Sequence, residues 1–86
     1  MSEVEKKIRE CIAELDPYKF FAPEIDQSVK ALNELETLVK NPSKENVEKA
    51  KVIATQLYQG ASPYASYIPT TVANMKFVIE WLEKRK

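Results

Sequence analysis

The chain has 86 residues, of which 44% are hydrophobic and 30% charged, the composition of one small globular domain rather than a disordered segment. Thirteen basic residues balance thirteen acidic ones, so bulk charge gives no affinity for nucleic acid. A single cysteine and no histidine exclude an internal disulfide and an ordinary zinc site.

The first predicted helix covers residues 3–15. Ser2 and Glu5 have the spacing of a capping box, in which the two residues satisfy each other's free amides at a helix N-terminus. Apolar residues then recur every three or four positions, at Val4, Ile8, Cys11, Ile12 and Leu15. Pro17 ends the helix because proline disfavours the α conformation of the residue before it.

Two further helices are predicted at residues 23–40 and 44–59. Pro23 suits the first position of a helix, and the Asn41-Pro42 pair ends the same helix. Ser43 is a good N-cap for the next helix, and Gly60 is predicted to end it in the left-handed conformation.

The fourth predicted helix covers residues 69–84 and begins at Pro69. Its apolar residues spread over more than one face, and basic residues lie at the negative end of its dipole, at Lys84, Arg85 and Lys86. No stretch of the chain alternates with the two-residue period of a strand, so the chain is predicted to be all-α.

These helices predict a single-domain, antiparallel, up-down four-helix bundle. The turn at residues 41–43 is short enough to make the second and third helices antiparallel neighbours, and the longer connections permit the same arrangement. A three-helix arrangement with a docked or swapped first helix is the alternative.

The two longer connections, residues 16–23 and 62–69, resemble each other, and we call them the first and second corners. Both follow the pattern [Asp/Ser]-Pro-Tyr-x-x-[Phe/Tyr]-x-Pro, at a constant offset of 46 residues. A duplicated helical hairpin would produce this echo, and so would two corners that acquired the same turn chemistry independently. Either origin predicts two halves related by a pseudo-twofold axis.

An up-down bundle would bring both corners to one end of the molecule, together with most of the chain's aromatic residues. We call this set the aromatic pole: Tyr18, Phe20, Phe21, Tyr58, Tyr64 and Tyr67. One interpretation is a docking surface for a partner, with hydrogen bonds from Ser62, Ser66, Thr70 and Thr71. The favoured interpretation is that the rings close the open end of the core and leave one or two tyrosines exposed.

The fourth helix offers a second candidate contact surface. Phe77 and Trp81 lie one turn apart and would mark a contact face, for a partner or a homodimer, if both were exposed. Burial within the monomer is the favoured expectation for this pair, because a wide apolar stripe also suits a deeply packed helix.

Catalytic chemistry is not expected, and neither is a cofactor or a metal. Histidine, the usual acid–base residue, is absent, and Cys11 lies on an apolar stripe where a core role is expected. The carboxylates of Glu10 and Glu14 are predicted to form a solvated acidic face, because a helical carboxylate metal site usually also needs histidine.

The sequence therefore predicts a non-catalytic interaction module, located in the cytoplasm and without a membrane span. A protein partner would bind through Tyr18, Phe21, Tyr64 and Tyr67, or through Phe77 and Trp81. One alternative is a small immunity or inhibitor bundle that neutralises a toxin or enzyme. Another is a weak nucleic-acid accessory protein that uses the basic residues 84–86, although nucleic acid is the less favoured partner.

Overall fold

The computed structural model describes residues 2–85, which form four α-helices and no β-strand. The helices are α1 (Glu3–Leu15), α2 (Pro23–Lys40), α3 (Lys44–Ala61) and α4 (Pro69–Glu83). The prediction of an all-α chain is therefore confirmed. Among these helices none has both the length and the apolar character that crossing a membrane requires.

The helices begin where local chemistry favours a start. The Ser2 hydroxyl accepts a hydrogen bond from the amide of Glu5 at 3.3 Å, and the Ser43 hydroxyl accepts one from the amide of Asn46 at 3.2 Å. The helices α2 and α4 both begin at a proline, whose fixed φ suits the first helical position.

Gly60 does not end α3, and that prediction is wrong. The glycine has no positive φ and lies inside the helix, which continues to Ala61. The backbone then tightens into a 3-10 turn over Ser62–Tyr64, and the amide of Ser62 still bonds to the carbonyl of Tyr58. No left-handed residue is needed at the end of α3, because Ser62 and the 3-10 turn that follows keep right-handed helical backbone angles.

The four helices pack in a ring, in which each contacts the helices before and after it and α4 closes the ring on α1. This contact pattern is that of a four-helix bundle, about 36 × 21 × 19 Å, with α1 packed as one of its four members. The core is built mainly from aliphatic side chains, the largest being Ile8, Leu15, Leu32, Leu35, Met75 and Leu82.

Polar contacts between α1 and α4 show in which direction the two helices run relative to each other. Glu14, near the end of α1, binds Thr71 near the start of α4, whereas Glu10 binds Asn74 farther along α4. The order of contacts is opposite along the two helices, so α1 and α4 run in opposite directions. The antiparallel arrangement of the other pairs and the pseudo-twofold axis stay predictions.

The two corners that resemble each other in sequence also have the same local backbone. Each opens with a three-residue 3-10 turn, at Asp16–Tyr18 and at Ser62–Tyr64. The residue before each turn has nearly the same backbone angles, with φ and ψ of −81° and −26° at Leu15 and −83° and −28° at Ala61. The echo is therefore structural as well, while its origin by duplication stays a prediction.

Candidate functional site

A groove of about 1090 Å³ lies between α2 and α3, at the end of the bundle that carries both corners. One wall is formed by residues 24–34 of α2 and the other by residues 53–61 of α3. The two corners contribute Tyr18 and Phe21 from one side and Tyr64 and Tyr67 from the other. The structure thus brings four of the predicted contact residues to one concavity.

Most rings of the aromatic pole are exposed to solvent, so the interpretation that they close the core is wrong. Phe20 and Phe21 are more than four-fifths exposed and Tyr67 is 74% exposed, while Tyr18 and Tyr64 are about half exposed. Tyr58 is the member that lies half-buried against the core.

Aliphatic residues close this end of the core instead of the aromatic rings. Leu15, Ala61 and Ile68 are buried where α1, α3 and the second corner converge, and they also line the groove. Because these side chains already cover the core, the 3-10 turns leave their tyrosines on the outside.

Small residues on α2 and α3 contribute to the width of the groove. Ser28 and Ala31 on α2 and Gly60 on α3 line it. Within the part of the chain that the structure describes, no side-chain hydrogen bond or ion pair joins residues 24–34 to residues 53–61. The two walls of the groove are therefore not joined by polar side-chain contacts among these residues.

The opposite seam, between α1 and α4, is closed by hydrogen bonds. Glu14 accepts bonds from the Thr70 amide at 3.0 Å, the Thr71 amide at 2.6 Å and the Thr71 hydroxyl at 2.7 Å. Partial burial would raise the pKa of Glu14, but the bonds from Thr71 and Thr70 outweigh it and lower the pKa.

The expectation of a solvated acidic face at Glu10 and Glu14 is accordingly wrong. Glu10 accepts a hydrogen bond at 2.9 Å from the side chain of Asn74, which also donates to the carbonyl of Lys7. Both carboxylates therefore have defined partners on α4, and Glu14 supplies acceptors for two of the first amides of that helix, which have no partner within the helix.

The hydroxyl groups predicted to serve a docking surface are partly used inside the protein. Thr71 is buried, and its hydroxyl binds Glu14. The hydroxyl of Ser62 donates to the carbonyl of Tyr58 at 2.7 Å. Ser66 is exposed and Thr70 half-buried. The prediction that Thr71 offers its hydroxyl to a partner is therefore wrong.

Phe77 and Trp81 lie on α4, outside the groove, and are half-buried against the core. A cation covers each ring: the Lys7 ammonium lies 5.5 Å from the centre of Phe77, and the Arg85 guanidinium lies 3.8 Å from that of Trp81. The cleft beside them measures about 90 Å³. The structure thus separates the two candidate contact surfaces. Lys86, the last residue of the predicted basic end, lies outside the described residues.

Cys11 lies in the core, as expected. Its side chain is fully buried, and its sulfur lies 3.9 Å from the carbonyl oxygen of Thr71. Burial raises the pKa of this thiol to about 12, so it stays protonated at neutral pH. Among residues 2–85 no group of three or more Cys, Asp or Glu side chains is placed to hold a metal ion.

An ion pair between a buried carboxylate and a partly exposed arginine was missed in the sequence. The carboxylate of Glu36 is buried beside α1, where Arg9 donates from Nε to its Oε2 at 2.7 Å. The signal was present, because Glu36 follows Leu32 by four residues and precedes Val39 by three within an apolar stripe. A charged residue in such a stripe indicates a partner on the facing helix.

Comparison of the chain with models of protein families, with curated proteins and with solved structures found no match.

Proposed function

We propose that this chain is a non-catalytic protein-binding module and that its partner contacts the four rings around the groove, Tyr18, Phe21, Tyr64 and Tyr67. The observation that carries the proposal is the exposure of these rings around one concavity instead of within the core. Tyrosine combines an apolar ring with a hydroxyl that can stay hydrated, which suits a surface exposed before binding and buried after it.

The size of the exposed aromatic surface supports the proposal. A fully buried aromatic side chain removes about 150–250 Å² from solvent, so these four rings at their present exposure offer roughly 500 Å². Each side of a standard interface buries about 800 Å². The rings alone would supply more than half of one side, and the walls of the groove would supply the rest.

The α4 face receives less support as the contact surface. Phe77 and Trp81 already pack against the core and lie under Lys7 and Arg85, so less of their ring surface is left for a partner. A homodimer through this face stays a prediction. The proposal places the protein in the cytoplasm, in keeping with a sequence whose single cysteine cannot form an internal disulfide.

The proposal is tested with the double variant Tyr18→Ala/Tyr64→Ala. We expect it to lose at least about tenfold in affinity for a partner captured from the native cells, because two aromatic contacts at an interface contribute about 1 kcal/mol or more each. The matched control is Val52→Ala, since Val52 is an exposed apolar residue that does not line the groove. Binding and urea unfolding are measured for both variants.

Two results would contradict the proposal. If the double variant no longer unfolds cooperatively, the two tyrosines belong to the fold. If the double variant and Val52→Ala bind the partner as the unchanged protein does, the contact lies elsewhere on the bundle.

A further inference from the structure

We propose that the groove binds one amphipathic α-helix of the partner protein and that this helix carries basic side chains beside its apolar face. This inference rests on the proposed function and adds the chemistry of the partner. Four properties of the groove carry it: its length, its apolar floor, its small residues and the sign of its charge.

The dimensions of the groove suit a short helix. At 1.5 Å per residue, its α2 wall from Glu24 to Glu34 is about 15 Å long, and its α3 wall from Ile53 to Ala61 is about 12 Å long. Two to three turns of a helix match this length. Ala31 and Gly60 line the groove with a small side chain or none and so leave space for the partner's larger side chains. A volume of about 1090 Å³ exceeds most sites for small molecules, which measure about 300–1,000 Å³.

The floor of the groove matches the apolar face of a helix. Ile25 on α2, Ile53 and Leu57 on α3, and Ile68 in the second corner all line it. An amphipathic helix presents apolar residues at positions i, i+3 or i+4, and i+7, and can place them along such a floor.

The charge of the lining favours a basic partner. Within the described part of the chain, the charged residues that line the groove are both acidic, Glu24 and Glu34. Neither is paired with a basic side chain among residues 2–85. Lysine or arginine beside the apolar face of the partner helix would meet these carboxylates and the faces of Tyr18 and Tyr64, which attract cations. An acidic helix or a fatty acid would meet like charge.

A second copy of this chain is a poor occupant, because all four of its helices already place their apolar stripes in the core. The basic end of α4 is also partly engaged, since Arg85 lies on the ring of Trp81. The occupant is therefore a helix of another protein.

The test is a selection from displayed peptides of about twelve residues, which span about 18 Å as helices. Leucine is fixed at positions i, i+4 and i+7, and the other positions vary among Lys, Glu, Gln and Ala. The bait is the full chain. The blocked bait is Gly60→Leu, because a Cβ at Gly60 meets nothing within 4 Å and the longer side chain would enter the groove. The matched control is Val52→Leu, which adds side-chain bulk at an exposed position outside the groove.

We expect the selected peptides to carry net positive charge. They should bind Val52→Leu as they bind the unchanged chain, and Gly60→Leu at least about tenfold more weakly, because the leucine at position 60 occupies the space of an apolar anchor. The variant Glu24→Gln/Glu34→Gln should bind them about three- to tenfold more weakly at low salt, as expected for loss of two partly exposed ion pairs. Glu48→Gln, an exposed change outside the groove, should have no effect.

Four results would overturn the inference: no enriched peptide, enriched peptides of neutral or negative charge, equal binding to the blocked bait, or a dimer of the unchanged chain that Gly60→Leu abolishes. Peptides that bind the blocked bait but not Tyr18→Ala/Tyr64→Ala would overturn the groove as the site and leave the proposed function standing. Failure of the proposed function is seen separately, as partner capture that Tyr18→Ala/Tyr64→Ala does not change.

Discussion

Glu14 is the residue that joins the end of α1 to the start of α4. The residue before α4 is Ile68, whose side chain cannot cap the helix. Glu14 of α1 instead accepts hydrogen bonds from the backbone amides of Thr70 and Thr71. A carboxylate at this position also interacts favourably with the positive end of the helix dipole. The sequence indicated a helical Glu14 but not its partners, since the stagger of two helices depends on how the whole core packs.

The variant Glu14→Gln should be less stable than the unchanged protein by about 1–2 kcal/mol at pH 7, because it loses a charged N-cap. The pKa of Glu14 is lowered in the folded state, so its contribution is complete above the pKa of the unfolded chain and is lost as pH falls through the folded pKa. The difference in free energy of unfolding between the variant and the unchanged protein should therefore decrease below about pH 4.3. Urea unfolding measured from pH 7 to pH 3 checks this.

Glu48→Gln is the matched control for that series, because Glu48 is exposed on α3. It should unfold as the unchanged protein does at every pH. Two results would show that Glu14 does not cap α4 as a carboxylate: equal free energies of unfolding for Glu14→Gln and the unchanged protein at pH 7, or a difference between them that stays constant down to pH 3.

At the scale of the helix, α3 shows why its start was predictable and its end was not. Ser43 caps the start through a hydrogen bond from the amide of Asn46, only three residues later, so the local pattern suffices. The end depends on whether Gly60 adopts a left-handed conformation, and that depends on the corner that follows. Here Ser62 and Pro63 continue into a 3-10 turn, and the glycine stays helical.

The helical Gly60 makes a prediction about stability. Gly60→Ala should stabilise the protein by about 0.5–1 kcal/mol, because alanine loses less backbone entropy in a helix and its Cβ would meet nothing within 4 Å. Thermal and urea unfolding measure the change. Gln59→Ala, on the same exposed turn, is the control for a general gain in helix propensity and should change stability by less. Destabilisation by Gly60→Ala would instead indicate a left-handed residue.

The four-helix class of the bundle followed from apolar periodicity, since a stripe such as Val4, Ile8, Cys11 and Leu15 on α1 must be buried against other helices. The echo of the two corners predicted the six rings of the aromatic pole at one end of the bundle, and four of them line one groove: Tyr18, Phe21, Tyr64 and Tyr67. Their exposure could not be predicted. Whether a ring closes a core or lies outside it depends on whether smaller residues, here Leu15 and Ala61, have already filled that end.

We propose that a partner protein contacts the aromatic rings at the groove rather than the face of α4. The most direct test places the photoreactive residue benzoylphenylalanine at Phe21 in one variant and at Phe77 in another, with Val52 as the position outside both surfaces. The variants are irradiated in native cells. We expect a discrete crosslinked product from position 21 and none from positions 77 and 52. The same product from position 77 or 52, without one from position 21, would contradict the proposed contact at the groove.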